Sequence, residues 1–149
     1  MRAVVQRVAS ARVKVEGETV GEIGPGLLAL VGVGQEDGAP DAHYVAEKIA
    51  NLRVFDDENG RMERSALEVG AGVLVVSQFT LHGDVRKGRR PSYARAAKGE
   101  EALGLYEEVC ARLRECGLPV ATGRFGAEMQ VEMVGDGPVT ILLDSERQF

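Results

Sequence analysis

Two stretches of this 149-residue chain set hydroxyl and amide side chains beside constrained backbone. Ser77-Gln78-Phe79-Thr80 follows the apolar run Val73-Leu74-Val75-Val76, so a strand buried on both faces ends by delivering polar groups. Gly135-Asp136-Gly137-Pro138-Val139-Thr140 places another hydroxyl at the start of Ile141-Leu142-Leu143. If Ser77 or Thr80 were a nucleophile it would need a base, and the local imidazole is His82. In a continuing strand His82 and Thr80 would share a face about 7 Å apart, too far for a direct hydrogen bond. No Gly-x-Ser-x-Gly elbow surrounds Ser77, and His82 is expected on a loop or rim.

A second chemistry asks less of titrating groups. Hydrolysis of an activated ester needs its developing oxyanion stabilised, and fixed N–H groups plus a side-chain amide supply that. Gln78 offers the amide, while Phe79 and Thr80 at the strand end offer N–H groups released from the ladder. The bland alternative is that these residues merely end a strand. For Asp136-Gly137-Pro138 the bland alternative is a hairpin turn between two strands, with the prolyl bond trans, because only about 5–6% of such bonds are cis.

The elements that must position these groups follow from periodicity. Residues 2–8 and 12–16 read as two strands, the second a half-buried edge in which Val13 and Val15 alternate with charged residues. Leu27 to Val33 reads as a second strand buried on both faces. Helices are expected over about 40–53, opened by Pro40 and Asp41, and about 100–116, with Leu103, Tyr106, Cys110 and Leu113 on one face and Gly117 at its end. Residues 63–70 read as irregular or briefly helical. A late strand over 129–134 leads through the Gly-Pro turn to a final strand over 139–143. The order predicts one α+β domain, 1–149, whose sheets curl around a barrel-like core under two main helices.

Composition narrows the function classes. Apolar residues at 44%, charged residues at 28% and a net charge of −5 describe an ordinary globular chain rather than a general nucleic-acid coat. No apolar run reaches the roughly 20 residues of a membrane span, and no signal-peptide core is present, so a cytoplasmic protein is expected. Cys110 and Cys116 lie on one predicted helix, separated by a rise of roughly 9 Å and predicted to stay reduced. Gly32-Val33-Gly34 fails as a dinucleotide motif, since Gln35-Glu36-Asp37 brings negative charge where a pyrophosphate would sit. Asp56-Asp57-Glu58 lacks a calcium-loop spacing. Neither metal nor organic cofactor is expected. Against the acidic total stands Arg86-Lys87-Gly88-Arg89-Arg90, a local anion site or a solvated loop.

Taken together, Met1-Arg2-Ala3-Val4-Val5-Gln6-Arg7-Val8, Ser77-Gln78-Phe79-Thr80 and Gly137-Pro138-Val139-Thr140 resemble the D-aminoacyl-tRNA deacylase family, formerly D-tyrosyl-tRNA deacylase. Gly26-Leu27-Leu28, Asn51-Leu52-Arg53-Val54-Phe55, Lys87-Gly88-Arg89-Arg90-Pro91-Ser92 and Thr122-Gly123-Arg124-Phe125-Gly126-Ala127 extend the likeness in order along the chain. The resemblance implies a homodimer with active sites at the interface, where the Ser-Gln-Phe-Thr segment of one subunit meets a Gly-cisPro motif of the other. It also implies a chiral filter: Gly137 and Pro138 crowd the position of an L side chain, while a D side chain points away and glycine escapes exclusion. By the same carry-over Arg7 braces the Gly-Pro segment and Met129 borders the terminal adenosine. Gln78 and Phe79 stabilise the oxyanion, and Thr80 binds substrate first and takes a covalent role only second, while the ribose 2′-OH assists. Arg86, Lys87, Arg89 and Arg90 become candidate tRNA contacts. Arg61-Met62-Glu63 and Gly135 depart from the usual pattern without touching these motifs. Two other readings stand beside the deacylase: a non-catalytic dimeric module that binds an aminoacyl-adenosine end or a small ligand, and a serine or threonine hydrolase of other esters.

Overall fold

The computed structural model describes every residue from Met1 to Phe149. Its spine is β1 (Arg2–Val15), a single 14-residue strand where the sequence suggested two. Ala9 and Ser10 are small and both exposed, so they erase the alternation on which the reading depended, yet the ladder runs through them. Nor is the second half an edge. Residues Ala11 to Val15 pair on one side with β2 (Glu18–Ile23), Arg2 to Val8 pair with β3 (Gly26–Gly32), and β8 (Gln130–Asp144) lies antiparallel along the other side.

Beyond β3 the sheet becomes parallel, through β6 (Gly72–Ser77) to β7 (Val120–Thr122). The strand order is β2-β1-β3-β6-β7, with β8 attached to β1. The sheet curls until β2 meets β7. A Cβ on Gly21 would lie 2.1 Å from the Thr122 carbonyl oxygen, so glycine permits the approach that nearly closes the barrel. Between β3 and β6 stand α1 (Ala39–Asn51), the short ribbon β4 (Phe55–Asp56) and β5 (Met62–Arg64), and α2 (Ala66–Val69). The last of these is the brief helix expected near residue 66, and its N-cap Ser65 Oγ accepts from Glu68 N at 3.2 Å. The helix α3 (Gly99–Glu115) precedes β7.

Period-2 alternation divides the core in two. Leu27, Ala29 and Val31 of β3 and Val73 and Val75 of β6 face Val45, Ile49, Val109 and Leu113 of the two main helices. Leu28, Leu74 and Val76 turn the other way and pack with Val8, Val13 and Ile23 inside the curl. This explains why β3 and β6 are apolar at successive positions. Burial of each Val or Leu contributes about 1.5–3 kcal/mol, so the strand that ends at Ser77 and leads into Gln78 is among the most firmly held in the molecule. Cys110 is buried and Cys116 exposed, both as free thiols.

The Asp-Gly-Pro segment does not reverse the chain. Residues Gln130 to Gly135 pair with Lys14 back to Val8, and Thr140 to Asp144 continue along Gln6 to Arg2 of the same strand. With its flanks committed to one partner in one direction, the segment is a wide bulge inside β8. Asp136 to Val139 stand opposite Arg7 alone.

Candidate active site

At the C-terminal end of β6 the ladder stops. Gln78 still donates its N–H to Val31 O at 2.8 Å, and Phe79–His82 then form a single 3₁₀ turn. The polar tetrapeptide is therefore a strand-to-helix corner. The N–H groups that open such a turn have no intrahelical partner, and those of Phe79 and Thr80 find no other acceptor in the chain. The Gln78 amide Nε2 donates to Thr80 Oγ1. The corner thus carries one side-chain amide and two N–H groups without an acceptor, the kinds of donor that oxyanion stabilisation uses.

The corner opens on a cleft of about 480 Å³, lined mainly by apolar groups. Ser77, Gln78, Phe79 and Met129 border it. Thr80 is exposed just outside, joined through its hydrogen bond to Gln78. Tyr93, Phe125 and Lys98 also border the cleft, and sequence reasoning gave them no part, although Phe125 stands in one of the family-like motifs. Phe125 packs on Tyr106, ring centroids 5.7 Å apart. The Tyr106 hydroxyl donates to Val75 O at 2.8 Å, and burial pushes its pKa up, which keeps it a donor. Met129 lies over Gly123, where a Cβ would come within 2.7 Å of its sulfur.

His82 is not a rim residue. The 3₁₀ turn swings it inward, where it is 8% exposed and its Nε2–H donates to Gly32 O at 3.0 Å. Its ring sits beside Gly32 and Gly34, at 3.3 and 3.2 Å from where their Cβ atoms would be. Burial lowers its pKa. Committed to a carbonyl and absent from the cleft lining, His82 supplies no base to Ser77 or Thr80.

Arg7, Gly137 and Pro138 form a separate cluster. The Gly137-Pro138 bond is cis, and Gly137 has φ +132°, a conformation that favours glycine. Opposite the bulge, the Arg7 guanidinium donates through Nε to Asp136 O at 3.2 Å and through Nη1 to Val54 O at 2.6 Å. It also stands 3.3 Å from the Asp136 carboxylate and 3.7 Å from that of Asp56. Gln6 Nε2 donates to Thr140 Oγ1 at 3.4 Å. None of Arg7, Gly137 and Pro138 borders the cleft, so one chain does not bring the two motifs into one pocket.

The basic loop is less uniform than its sequence. Arg86 donates through Nε and Nη2 to Asp84 at 2.9 and 2.6 Å, and these bonds hold the Asp84 carboxyl far below the usual carboxylate range. Lys87, Arg89 and Arg90 are exposed and form no ion pair with a carboxylate. Among the acids and histidines, no group of three or more is placed to hold a metal ion, and no helix is long and apolar enough to cross a membrane. Apolar side chains stand exposed from the cleft mouth along β8: Phe79, Val131, Met133, Val134 and Leu142.

Comparison with known proteins gives a consistent result. A family model described as D-Tyr-tRNA(Tyr) deacylase matches residues 4–144. A D-aminoacyl-tRNA deacylase of Symbiobacterium thermophilum is 60% identical over 149 residues, covering 100% of this chain and 99% of the relative. One from Heliobacterium modesticaldum is 62% identical over 144 residues, 97% of this chain and 96% of the relative. A solved structure named "c-Myc DNA Unwinding Element Binding Protein" superposes with a TM-score of 0.91 at 42% identity, covering 97% of this chain and 98% of that one. A second, described as a probable eukaryotic D-amino acid tRNA deacylase, gives 0.81 at 17% identity over 95% and 97% of the chains, a likeness of fold.

Proposed function

The chain belongs to the D-aminoacyl-tRNA deacylase family, and from that premise we propose that it hydrolyses the ester joining a D-amino acid to the terminal ribose of tRNA, as a cytoplasmic homodimer of one-domain subunits acting in translation quality control. The observation that carries the reading is the β6 corner, which carries the Gln78 amide and the free N–H groups of Phe79 and Thr80 beside a mainly apolar cleft.

In the reaction, water adds to the ester carbonyl carbon while the carbonyl oxygen gains charge and is stabilised by the Gln78 amide and the Phe79 N–H. Collapse of the tetrahedral intermediate breaks the bond to the ribose 3′ oxygen, which takes up a proton, and releases the D-amino acid. The ribose 2′-OH assists the proton transfer. Thr80 serves by holding the Gln78 amide and touching substrate. The bond of His82 to the Gly32 carbonyl, with none to either hydroxyl, supports a mechanism without a serine or threonine nucleophile.

Selectivity is assigned to Gly137 and Pro138 of a second subunit, braced by Arg7 and brought over the first subunit's cleft. The separation of the two motifs within one chain and the exposed apolar residues beside both support this arrangement. Carbonyl oxygens there crowd an L side chain but leave a D side chain and glycine free, so glycyl-tRNA is also a substrate. Lys87, Arg89 and Arg90 contact tRNA phosphates, with Arg86 contributing less because Asp84 already neutralises it.

The test is deacylation of D-tyrosyl-, L-tyrosyl- and glycyl-tRNA by the purified protein, with spontaneous hydrolysis subtracted. Turnover of the D and glycyl esters with the L ester spared is expected. Equal turnover of D and L would indicate a general esterase. Binding without turnover would indicate a nucleic-acid-binding module, in keeping with the name of the 42% identical DNA-element-binding protein.

A further inference from the structure

Phe79 begins the corner that carries the donor groups, yet its side chain is 53% exposed and the hydrophobic core does not hold it. What does touch it is Tyr93, whose ring meets it edge to face with centroids 5.2 Å apart and an interplanar angle of 74°. Tyr93 is itself fixed on several sides. Just before it, Ser92 and Asp84 exchange backbone hydrogen bonds, Asp84 N to Ser92 O at 2.8 Å and Ser92 N to Asp84 O at 2.9 Å. Just after it, Ala96 N donates to Tyr93 O at 3.1 Å, and Ala97 N donates to Val33 O at 2.9 Å. Gly83 makes room for the ring, since a Cβ there would stand 3.1 Å from Tyr93 Cε1 and 3.0 Å from Thr80 O.

We infer that Tyr93 is a positioning residue for the ester hydrolysis proposed above: its ring fixes Phe79, and through Phe79 the backbone N–H groups that face the reacting carbonyl. The Asp84–Ser92 bridge closes the foot of the basic loop, so the same ring joins the segment bearing Lys87, Arg89 and Arg90 to the oxyanion donors. The inference rests on the deacylase reading. It concerns the ring and not the phenol, because the Tyr93 hydroxyl has no hydrogen-bond partner within the chain and the contact with Phe79 is between the two rings.

The experiment compares Tyr93→Leu and Tyr93→Phe with the parent protein. Leucine keeps apolar bulk without an aromatic edge; phenylalanine keeps the ring. Single-turnover deacylation of D-tyrosyl-tRNA at saturating enzyme should fall about tenfold to a hundredfold for Tyr93→Leu, the range expected when a donor is displaced rather than deleted. The enzyme concentration at half-maximal rate should change less than about threefold on the same argument. Tyr93→Phe should retain the parent rate. Amide ¹⁵N–¹H resonances of Phe79 and Thr80 should move in Tyr93→Leu and stay in place in Tyr93→Phe. An unchanged rate in Tyr93→Leu, a loss confined to binding, or an equal loss in Tyr93→Phe overturns the inference. If the parent protein hydrolyses no D-aminoacyl-tRNA, the functional reading falls; unmoved Phe79 and Thr80 amides in Tyr93→Leu would separately refute the positional claim.

Discussion

Replacement of Arg7 by alanine should lower both stability and D-ester hydrolysis, and the size of the first effect follows from four contacts. The side chain is 12% exposed and donates to Val54 O at 2.6 Å and Asp136 O at 3.2 Å. Hydrogen bonds to a charged donor contribute about 1.5–3 kcal/mol each. Asp136 is exposed, so water can satisfy its carbonyl after truncation. Val54 is 5% exposed and its carbonyl would be left with less to bond. The two carboxylates, with side chains 53% and 58% exposed, contribute roughly 0–1 kcal/mol together after screening. The Val54 bond therefore dominates, and Arg7→Ala should cost about 2–3 kcal/mol in urea unfolding at fixed protein concentration.

The same truncation frees the four-residue bulge from the brace opposite it. If that bulge completes a site in the partner subunit, a displacement near 1 Å would reduce single-turnover hydrolysis of D-tyrosyl-tRNA about a hundredfold. Arg7→Lys, which can reach one carbonyl but not span both, should fall between. A stability loss under about 0.5 kcal/mol, the range of an ordinary surface substitution, would refute the energetic argument. A normal rate at the predicted stability loss would refute the positional one.

Four further outcomes follow from the geometry. Gln78→Ala should lower the rate at saturation about 10²–10³-fold with little change in binding, measured by single-turnover deacylation; Ser77→Ala should be nearly silent in the same assay. Gly137→Ala should impair activity and folding, because its Cβ would come within 2.8 Å of Val139 N and Cγ2 at φ +132°, and urea denaturation with D-tyrosyl-tRNA hydrolysis would register both effects. His82 has its pKa lowered in the folded protein, so the unfolded chain takes up its proton first as pH falls. Its stabilisation is complete above the unfolded value of about 6.5 and is lost as pH drops below it; the stability difference between parent and His82→Gln should therefore shrink between pH 7.5 and 5, measured by urea unfolding. Neutralising Arg89 and Arg90 together should weaken tRNA binding and flatten its dependence on salt, whereas Arg86→Gln should change both less because Asp84 already pairs that charge.

Much of this arrangement was legible in the residues themselves. Branched apolar runs identified β3 and β6, helical spacing identified α1 and α3, and the change from Val76 to Ser77 marked the place where polar groups emerge. The errors share a cause: local signals were outweighed by pairing at a distance. Asp136-Gly137-Pro138 has the composition of a hairpin, but β1 holds both flanks in one direction. Val13 and Val15 alternate as an edge strand does, yet β2 and β8 pair with that half of β1 on both sides. His82 looked like a rim residue from its distance to Thr80 along an extended chain, and the 3₁₀ turn removed that extension. Tyr93 and Phe125 were invisible as site residues because nothing in their neighbours' spacing says which cavity an aromatic ring will border.

In the proposed dimer the β6 corner of one subunit and the Gly137-Pro138 bulge of another form one site. Mixing inactive Gln78→Ala and Gly137→Val subunits under exchange tests this most directly. In a two-fold dimer, random exchange makes about half the molecules mixed, and each mixed dimer has one site built from an intact corner and an intact bulge. Activity on D-tyrosyl-tRNA should recover to about a quarter of the parent value on that count. If corner and bulge act within one chain, no intact site forms, and the mixture would stay as inactive as its parts.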